Sequence, residues 1–127
     1  MTAPVGFSRR GRLGVIRLER PDALNALTYD MIREVERLAR AAERDPDVTA
    51  ICITGEGRGF CAGIDMSVLT AHASGEAVAR SGEAKRANPA MCAFLLDISK
   101  PVIAAVNGVA AGGGFVLAMM CDMRFMA

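Results

Sequence analysis

The stretch from Lys100 to Asp122 constrains the fold most strongly, because it combines a strand, a glycine loop and the start of a helix that we predict to be buried. The run Pro101 to Val106 is short, apolar and rich in β-branched residues, which favours a strand. Three glycines, Gly112 to Gly114, precede the apolar run Phe115 to Met120. Glycine lets the backbone approach another molecule closely, and the first N–H groups of a helix have no partner within it. We therefore predict a donor site for an anion or a developing oxyanion at this turn.

A second glycine turn comes earlier in the chain. The strand-like run Ala50 to Thr54 is followed by GEGRGFCAGIDM, which begins at Gly55. Two glycine loops that follow strands and face each other can hold one carbonyl oxygen between two main-chain donors. The pair of loops is therefore interpreted as an arrangement that stabilises an enolate or a tetrahedral oxyanion.

Three motifs occur in a defined order along the chain. RPDALNAL runs from Arg20 to Leu27, GFCAGIDM from Gly59 to Met66, and NGVAAGGGFVLAMMCD from Asn107 to Asp122. As a set they closely resemble the crotonase superfamily of enoyl-CoA hydratases and isomerases. RPDALNAL is similar to the family's early turn near the coenzyme A nucleotide, and the other two motifs resemble its first and second oxyanion loops.

The resemblance implies a crotonase-like α/β fold built from repeated strand–strand–helix units. It further implies that residues 1–127 form the N-terminal part of a single domain, incomplete at the C-terminus. The function it implies is that of an acyl-CoA enzyme, with the thioester enolate held in a backbone oxyanion hole. Coenzyme A would be part of the substrate, and no separate cofactor is expected.

The hydrophobic pattern independently predicts alternating strands and helices around a mainly parallel sheet. Leu13 to Leu18 is predicted as the first strand, and Thr28 as the N-cap of the helix that follows. Val48 to Thr54 is apolar enough to be a parallel strand buried on both faces. Further predictions are a broken helix with a mobile, lid-like loop over Met66–Ala90, helical structure over Met91–Ile98, and a last strand from Met123.

The resemblance assigns roles to main-chain groups in both glycine loops. The N–H groups of Ile64 and Gly113 would be the two oxyanion donors, and the bulk of Ile64 would narrow the acyl pocket. The substrate-contacting positions that it implies are Ala23, Ala62, Ile64, Asp65, Met66, Gly112 and Gly113. The Asp65 carboxylate itself is expected to cap nearby N–H groups in an Asx-type turn rather than to catalyse. Asp122, at the junction between a helix and a strand, is likewise expected to be a structural acid.

The catalytic carboxylates of the family are the main departure. Many hydratases carry a catalytic glutamate two residues after the glycine triplet, where this chain has Val116. The other family carboxylate would lie beyond Ala127, so we expect this chain to lack both. Valine cannot exchange a proton, which favours isomerase-like or other proton-transfer chemistry over hydration. Whether the chain is an enzyme stays open, because a truncated non-catalytic acyl-CoA binder or an inactive fragment is the alternative.

A dinucleotide-binding domain is a weaker alternative. The segment Gly57 to Ala62, GRGFCA, fits a GxGxxA pattern after a strand. Such a fold requires a second strand that ends in an acidic residue about 20 positions later. Glu76 and Glu83 lie near that spacing, but no strand-like run precedes either of them.

Composition and charge argue against several classes of function. The net charge is +1 and no helix carries a basic stripe, which argues against nucleic acid or an acidic membrane as a partner. No apolar run approaches the roughly 20 residues of a membrane span. The hydrophobic content of 52% suggests surface that is covered by a missing second half or by other subunits. By resemblance, a complete protein would be a homo-oligomer, either a trimer or a hexamer.

The cysteines and the arginines near the start indicate little special chemistry. Cys52 and Cys121 are predicted core thiols, whereas Cys61, in a glycine loop, is predicted to be more exposed. His72, the single histidine, is expected in a solvated loop, and no metal site is predicted. The absence of a disulfide pattern suits a reducing compartment, and the cytoplasm is the simplest assignment. The arginines assigned to a solvated turn before the first strand are Arg9, Arg10 and Arg12.

Overall fold

Seven strands form two sheets in the computed structural model, which describes residues 3–73 and 92–127. The strands are β1 (Val5–Arg10), β2 (Leu13–Leu18), β3 (Ala50–Gly55), β4 (Gly59–Cys61), β5 (Val102–Val106), β6 (Val109–Ala110) and β7 (Met123–Met126). The main sheet has the order β1-β2-β3-β5-β7, with β1 antiparallel to β2 and every other pair parallel. Strands β4 and β6 pair in parallel in a small separate sheet.

Within the described residues, three α-helices and two 3-10 helices connect these strands. The α-helices are α1 (Tyr29–Arg44), α2 (Met66–Ala73) and α3 (Gly113–Met120), and the 3-10 helices are Pro21–Ala23 and Ala93–Asp97. Helix α1 begins as predicted, because the Thr28 hydroxyl accepts a hydrogen bond of 3.2 Å from the Met31 N–H. Among the described residues, no helix is long and apolar enough to cross a membrane.

The core lies between the main sheet and the apolar face of α1. Ile51 and Ile53 of the central strand β3 are fully buried, and Cys52 between them is buried on the opposite face. This pattern confirms the prediction of a parallel strand covered on both faces. The residues of α1 that pack into the same core are Met31, Ile32, Val35, Ala39 and Ala42.

The N-terminal strand was not predicted. Leu13 to Leu18 is the second strand, and Val5 to Arg10 pairs with it in an antiparallel hairpin. Arg9 and Arg10 therefore lie in a strand, and only Arg12 lies in the turn. The hairpin closes through Gly11, whose φ of +59° suits glycine. Apart from Val5, the residues of β1 are wholly or partly exposed, so burial imposes no apolar alternation on this edge strand.

Two helical predictions also need correction. The segment predicted as helical over Met91–Ile98 forms a 3-10 helix over Ala93–Asp97. Helix α3, predicted to be buried, buries only Gly114, Leu117 and Ala118. Within the segment Met66–Ala90, predicted as a broken helix with a mobile, lid-like loop, α2 is present, and residues 74–90 lie outside the described residues.

Helix α3 and strand β7 expose many apolar side chains. The exposed apolar residues on these two elements are Phe115, Val116, Met119, Met123, Phe125 and Met126. Strand β7 is at the edge of the main sheet, and all four of its residues are exposed. An exposed apolar edge strand offers unpaired main-chain groups to another chain. The exposed apolar side chains and the edge position of β7 together favour association between copies of the chain.

We expect the 127-residue chain to self-associate at high concentration through the β7 edge. Replacing both Phe125 and Met126 by lysine should reduce association, because charges on an edge strand oppose strand pairing. Sedimentation velocity over a concentration series measures this. Phe7→Lys on β1, at the opposite edge of the sheet, is the matched control and should leave association unchanged. A monomer at all concentrations would contradict the prediction.

Candidate functional site

The two predicted glycine loops lie against each other. The first donor loop, residues 62–65, follows β4, and the second donor loop, residues 111–113, leads into α3. A Cβ atom at Gly63 would lie 3.1 Å from the Ala111 carbonyl oxygen and 3.6 Å from the Gly113 nitrogen. A Cβ atom at Gly113 would lie 3.6 Å from the Ile64 nitrogen. The structure therefore brings the two predicted donor residues together.

The N–H groups of Ile64 and Gly113 have no acceptor among the described residues. Their immediate neighbours differ, because the Asp65 N–H donates to the Leu27 oxygen at 2.8 Å and the Gly114 N–H to the Ala111 oxygen at 2.9 Å. Gly113 is the first residue of α3, where the helix itself provides no acceptor. Two neighbouring main-chain donors are thus left available to an oxygen atom from another molecule.

Close backbone packing explains the glycine triplet. A Cβ atom at Gly114 would lie only 2.0 Å from the Cys61 carbonyl oxygen, so the first turn of α3 packs directly on β4. Gly112 has a φ of +52°, which a residue with a side chain rarely adopts. The Ala111 N–H donates to the same Cys61 oxygen at 3.1 Å. The triplet therefore serves both close packing and presentation of the donors.

Two asparagines that the sequence analysis did not single out hold the turn before β4. Asn25 is fully buried, and its amide group donates to the Gly59 oxygen at 2.9 Å. Asn107 donates to the Gly57 oxygen at 2.9 Å and accepts from the Gly55 N–H at 3.1 Å. Side-chain amides that satisfy turn groups rigidify a loop. Both residues belong to the motifs quoted above, and this membership was the only sign in the sequence that they support the site.

The early turn is attached to the first donor loop by main-chain hydrogen bonds. The Leu27 N–H donates to the Gly63 oxygen at 2.7 Å, and the Leu27 oxygen accepts from Asp65. The Ala62 N–H donates to the Leu24 oxygen at 2.9 Å, which places Ala62 near Ala23, the residue before Leu24. Ile64 is therefore flanked on both sides by residues that bond to the early turn.

Asp65 accepts hydrogen bonds from two residues. Its Oδ1 accepts from the Ser67 N–H at 2.9 Å and from the Ser67 hydroxyl, so the predicted Asx-type turn is present. Its Oδ2 lies 2.6 Å from the Arg20 Nη1 atom, an ion pair that the sequence analysis missed. The Ser67 hydroxyl, with Arg20 and the Ser67 N–H, lowers the pKa of Asp65 to about 2. A carboxylate with so low a pKa is a poor proton acceptor near neutral pH.

The remaining predicted contact residues lie around the two loops. Met66 is exposed at the start of α2, and Gly112 precedes α3. Val116 is exposed in α3, and its N–H donates to the Gly112 oxygen at 3.1 Å. A Cβ atom at Gly113 would lie 3.0 Å from Ile64 Cδ1, so the isoleucine side chain covers the second donor residue.

The structure tests three predictions about individual residues outside the donor loops. Cys61 is fully buried rather than exposed, because α3 packs over β4, and burial raises the pKa of its thiol. Asp122 is structural, as expected from its place after α3, since its Oδ2 accepts from the Val102 N–H at 2.8 Å. His72 lies in α2 rather than in a loop. Within the described ranges, no cluster of His, Cys, Asp or Glu is arranged to hold a metal ion.

Comparison with known proteins assigns the family. Residues 8–127 match the enoyl-CoA hydratase/isomerase family, and the chain belongs to that family. It is 43% identical over 119 residues to a probable enoyl-CoA hydratase of Mycobacterium leprae, covering 91% of this chain and 43% of the relative. It is 42% identical over 120 residues to the mitochondrial enoyl-CoA hydratase of Pongo abelii, and the match covers 92% of this chain and 39% of the relative. The chain therefore spans less than half the length of these curated relatives.

Solved structures confirm the crotonase-like α/β fold. An enoyl-CoA hydratase/isomerase from Mycobacterium paratuberculosis superimposes with a TM-score of 0.84 at 33% identity, covering 99% of this chain and 50% of that one. An enoyl-CoA hydratase from Polaromonas sp. JS666 superimposes with a TM-score of 0.83 at 34% identity, and the match covers 97% of this chain and 48% of that one. The prediction from the three motifs is thus correct at the level of family and fold.

The low pKa of Asp65 predicts a pH-dependent stability difference. Asp65→Asn should lower the free energy of unfolding by about 1 kcal/mol near neutral pH. A depressed pKa stabilises the folded state above the ordinary value of 3.8, and this stabilisation is lost as the pH falls towards about 2. Urea unfolding followed by circular dichroism, from pH 6 to pH 2, should therefore show the difference between the two proteins shrinking.

The control for this prediction is Asp47→Asn, which breaks an exposed pair with Arg9 at 3.5 Å. Exposed ion pairs contribute little, so this substitution should change stability only slightly. A difference between wild type and Asp65→Asn that does not depend on pH would contradict the assignment of the pair to Asp65.

Proposed function

We propose that this chain provides the oxyanion hole of an acyl-CoA enzyme. The thioester carbonyl oxygen would accept hydrogen bonds from the N–H groups of Ile64 and Gly113. The observation that carries the proposal is that these N–H groups lie on touching loops and have no acceptor among the described residues. The family of the chain and the names of its relatives support the same substrate class.

The two donors would stabilise the enolate that forms when a proton leaves the α-carbon of the acyl group. Negative charge then develops on the thioester oxygen, and fixed donors favour that charge without reorganisation. Loss of one such donor typically raises the barrier by about 3–4 kcal/mol. The positions proposed to contact the rest of the acyl-CoA are Ala23, Ala62, Asp65, Met66 and Gly112.

The proposed reaction is isomerisation or a related proton transfer rather than hydration. Val116 occupies the position of the family glutamate and has no proton to exchange. The Asp65 carboxylate is held by Ser67 and Arg20, so it is a poor base. Proton transfer would therefore rely on a group outside the two donor loops. The same observations favour a second candidate function, which is acyl-CoA binding without turnover.

We also propose that a complete protein would be a homo-oligomer, trimeric or hexameric, located in the cytoplasm. The exposed apolar side chains of α3 and β7 support assembly with other chains. All four cysteines are free and buried, which suits a reducing compartment. Sedimentation equilibrium would distinguish a trimer from a hexamer, and fractionation of the source cells would test the location.

A titration followed at single amides tests the oxyanion hole directly. In the ¹⁵N-labelled chain, butyryl-CoA should shift the Ile64 and Gly113 amide resonances. Free coenzyme A lacks the thioester carbonyl and should not shift them. Gly113→Pro removes one donor at the first helical position, which tolerates proline. Its affinity for butyryl-CoA should fall about fivefold, as expected for one lost hydrogen bond.

Gly113→Ala is the matched control for this titration, because it adds a side chain but keeps the N–H group. It should retain the carbonyl-dependent shift of the Ile64 amide, and its Cβ requires only a small movement of the flexible Ile64 side chain. If butyryl-CoA leaves the wild-type Ile64 and Gly113 amides unmoved, the proposed oxyanion hole is wrong.

A chimera tests the role of position 116. Residues 8–127 would replace the matching segment of the Pongo abelii hydratase, to which the chain is 42% identical. The chimera should hydrate crotonyl-CoA weakly, and Val116→Glu should raise the rate about 100-fold, the lower range for general acid–base catalysis. The apolar surroundings should raise the pKa of the new glutamate towards neutrality. The measurement is the loss of enoyl-thioester absorbance.

Val116→Gln is the control, because glutamine has the shape of glutamate but cannot exchange a proton in the same way. It should hydrate crotonyl-CoA as weakly as the valine form. Rapid hydration by the valine form, or equal rates for glutamine and glutamate, would show that residue 116 does not occupy the catalytic glutamate position.

A further inference from the structure

We infer that Arg20 and Asp65 are a positioning pair, which holds the Ile64 main chain beside Gly113. The inference rests on the proposed function for its ligand, but the contacts that support it are present in the protein alone. Neither residue is required to touch the reacting atoms. Arg20 has no role in the sequence analysis beyond belonging to the first motif.

Arg20 is anchored through both its side chain and its main chain. Its Nη1 atom donates to Asp65 Oδ2 at 2.6 Å and to the Ala26 oxygen at 3.0 Å. Its N–H donates to the Asn25 side-chain oxygen at 2.8 Å, and its carbonyl oxygen accepts from the Asn25 N–H at 2.9 Å. One nitrogen of the guanidinium group therefore joins the early turn to the first donor loop.

The ion pair lies beside two main-chain hydrogen bonds that flank Ile64. The residues on either side of Ile64 each bond to Leu27, at 2.7 Å and 2.8 Å. Arg20 binds the residue before Leu27, which is Ala26, and the residue after Ile64, which is Asp65. The cation thus connects the same two segments beside these hydrogen bonds. We expect loss of the Arg20–Asp65 ion pair to let residues 63–65 move relative to the second donor loop.

A competing role for Arg20 is to bind the phosphates of coenzyme A. The Arg20 side chain is 33% exposed and the Asp65 side chain 14% exposed, so the pair is partly buried. A phosphate would have to compete with a carboxylate that already lies at 2.6 Å. The geometry therefore favours positioning over phosphate binding, and the two roles give different results with substrates that lack the nucleotide.

The experiment uses the ¹⁵N-labelled 127-residue chain and the variants Arg20→Met, Asp65→Asn and Arg20→Lys. Without ligand, Arg20→Met and Asp65→Asn should both shift the Ile64 amide resonance and speed its hydrogen exchange. Arg20→Lys, which keeps the charge, should restore part of the wild-type spectrum. Arg37→Met is the control, because it breaks an exposed ion pair of 2.6 Å with Glu34 within α1. It should leave the Ile64 and Gly113 amides unchanged.

Titration with butyryl-CoA and with butyryl-pantetheine, which lacks the nucleotide, then separates the two roles. Positioning predicts that Arg20→Met weakens both ligands by the same factor, about fivefold to tenfold. Loss of affinity for butyryl-CoA alone would assign Arg20 to phosphate binding and overturn the inference. An Ile64 amide that is unchanged in ligand-free Arg20→Met and Asp65→Asn would also overturn it. Failure of wild type to respond to either ligand would instead count against the proposed function.

Discussion

The site depends on the direct contact between the first turn of α3 and the backbone of β4. At Gly114 there is no room for even a Cβ atom, which would lie 2.0 Å from the Cys61 oxygen. This approach fixes where Gly113 starts the helix, and therefore where its free N–H group lies relative to Ile64. A larger residue at position 114 would force the helix away from β4 and separate the two donors. The chemistry of the site is thus set by backbone sterics before any side chain contributes.

Side chains contribute by holding the loops that the sterics bring together. The Asn25 and Asn107 amides satisfy the turn before β4, and Arg20 with Asp65 joins the early turn to the first donor loop. All four are polar or charged groups at positions from buried to partly exposed, and each has its hydrogen-bond partners. Such groups limit the arrangements open to a loop, because moving it leaves them unsatisfied. Rigid loops keep the donors in place, which oxyanion stabilisation requires.

The features predicted correctly from the sequence were those with a local signal. The Thr28 cap, the apolar strand around Ile51 and the glycine triplet each follow from a few neighbouring residues, and the three motifs led to the family. The features that were missed depend on distant partners. Strand β1 is exposed at an edge and has no apolar alternation, while Arg20 meets Asp65 across 45 positions of sequence. Cys61 was assigned the wrong exposure because its cover, α3, comes some fifty residues later.

The proposed function divides the work between main-chain and side-chain groups. Oxyanion donation needs only N–H groups at two positions, so under this proposal Ile64 and Gly113 would serve whatever acyl group is bound. Proton transfer needs a titratable side chain, which Val116 in α3 does not provide. Under the proposal, binding of the thioester and transfer of its proton would therefore depend on different groups. The N–H groups of Ile64 and Gly113, which have no acceptor among the described residues, support the first role, whereas the residue at position 116 argues against the second.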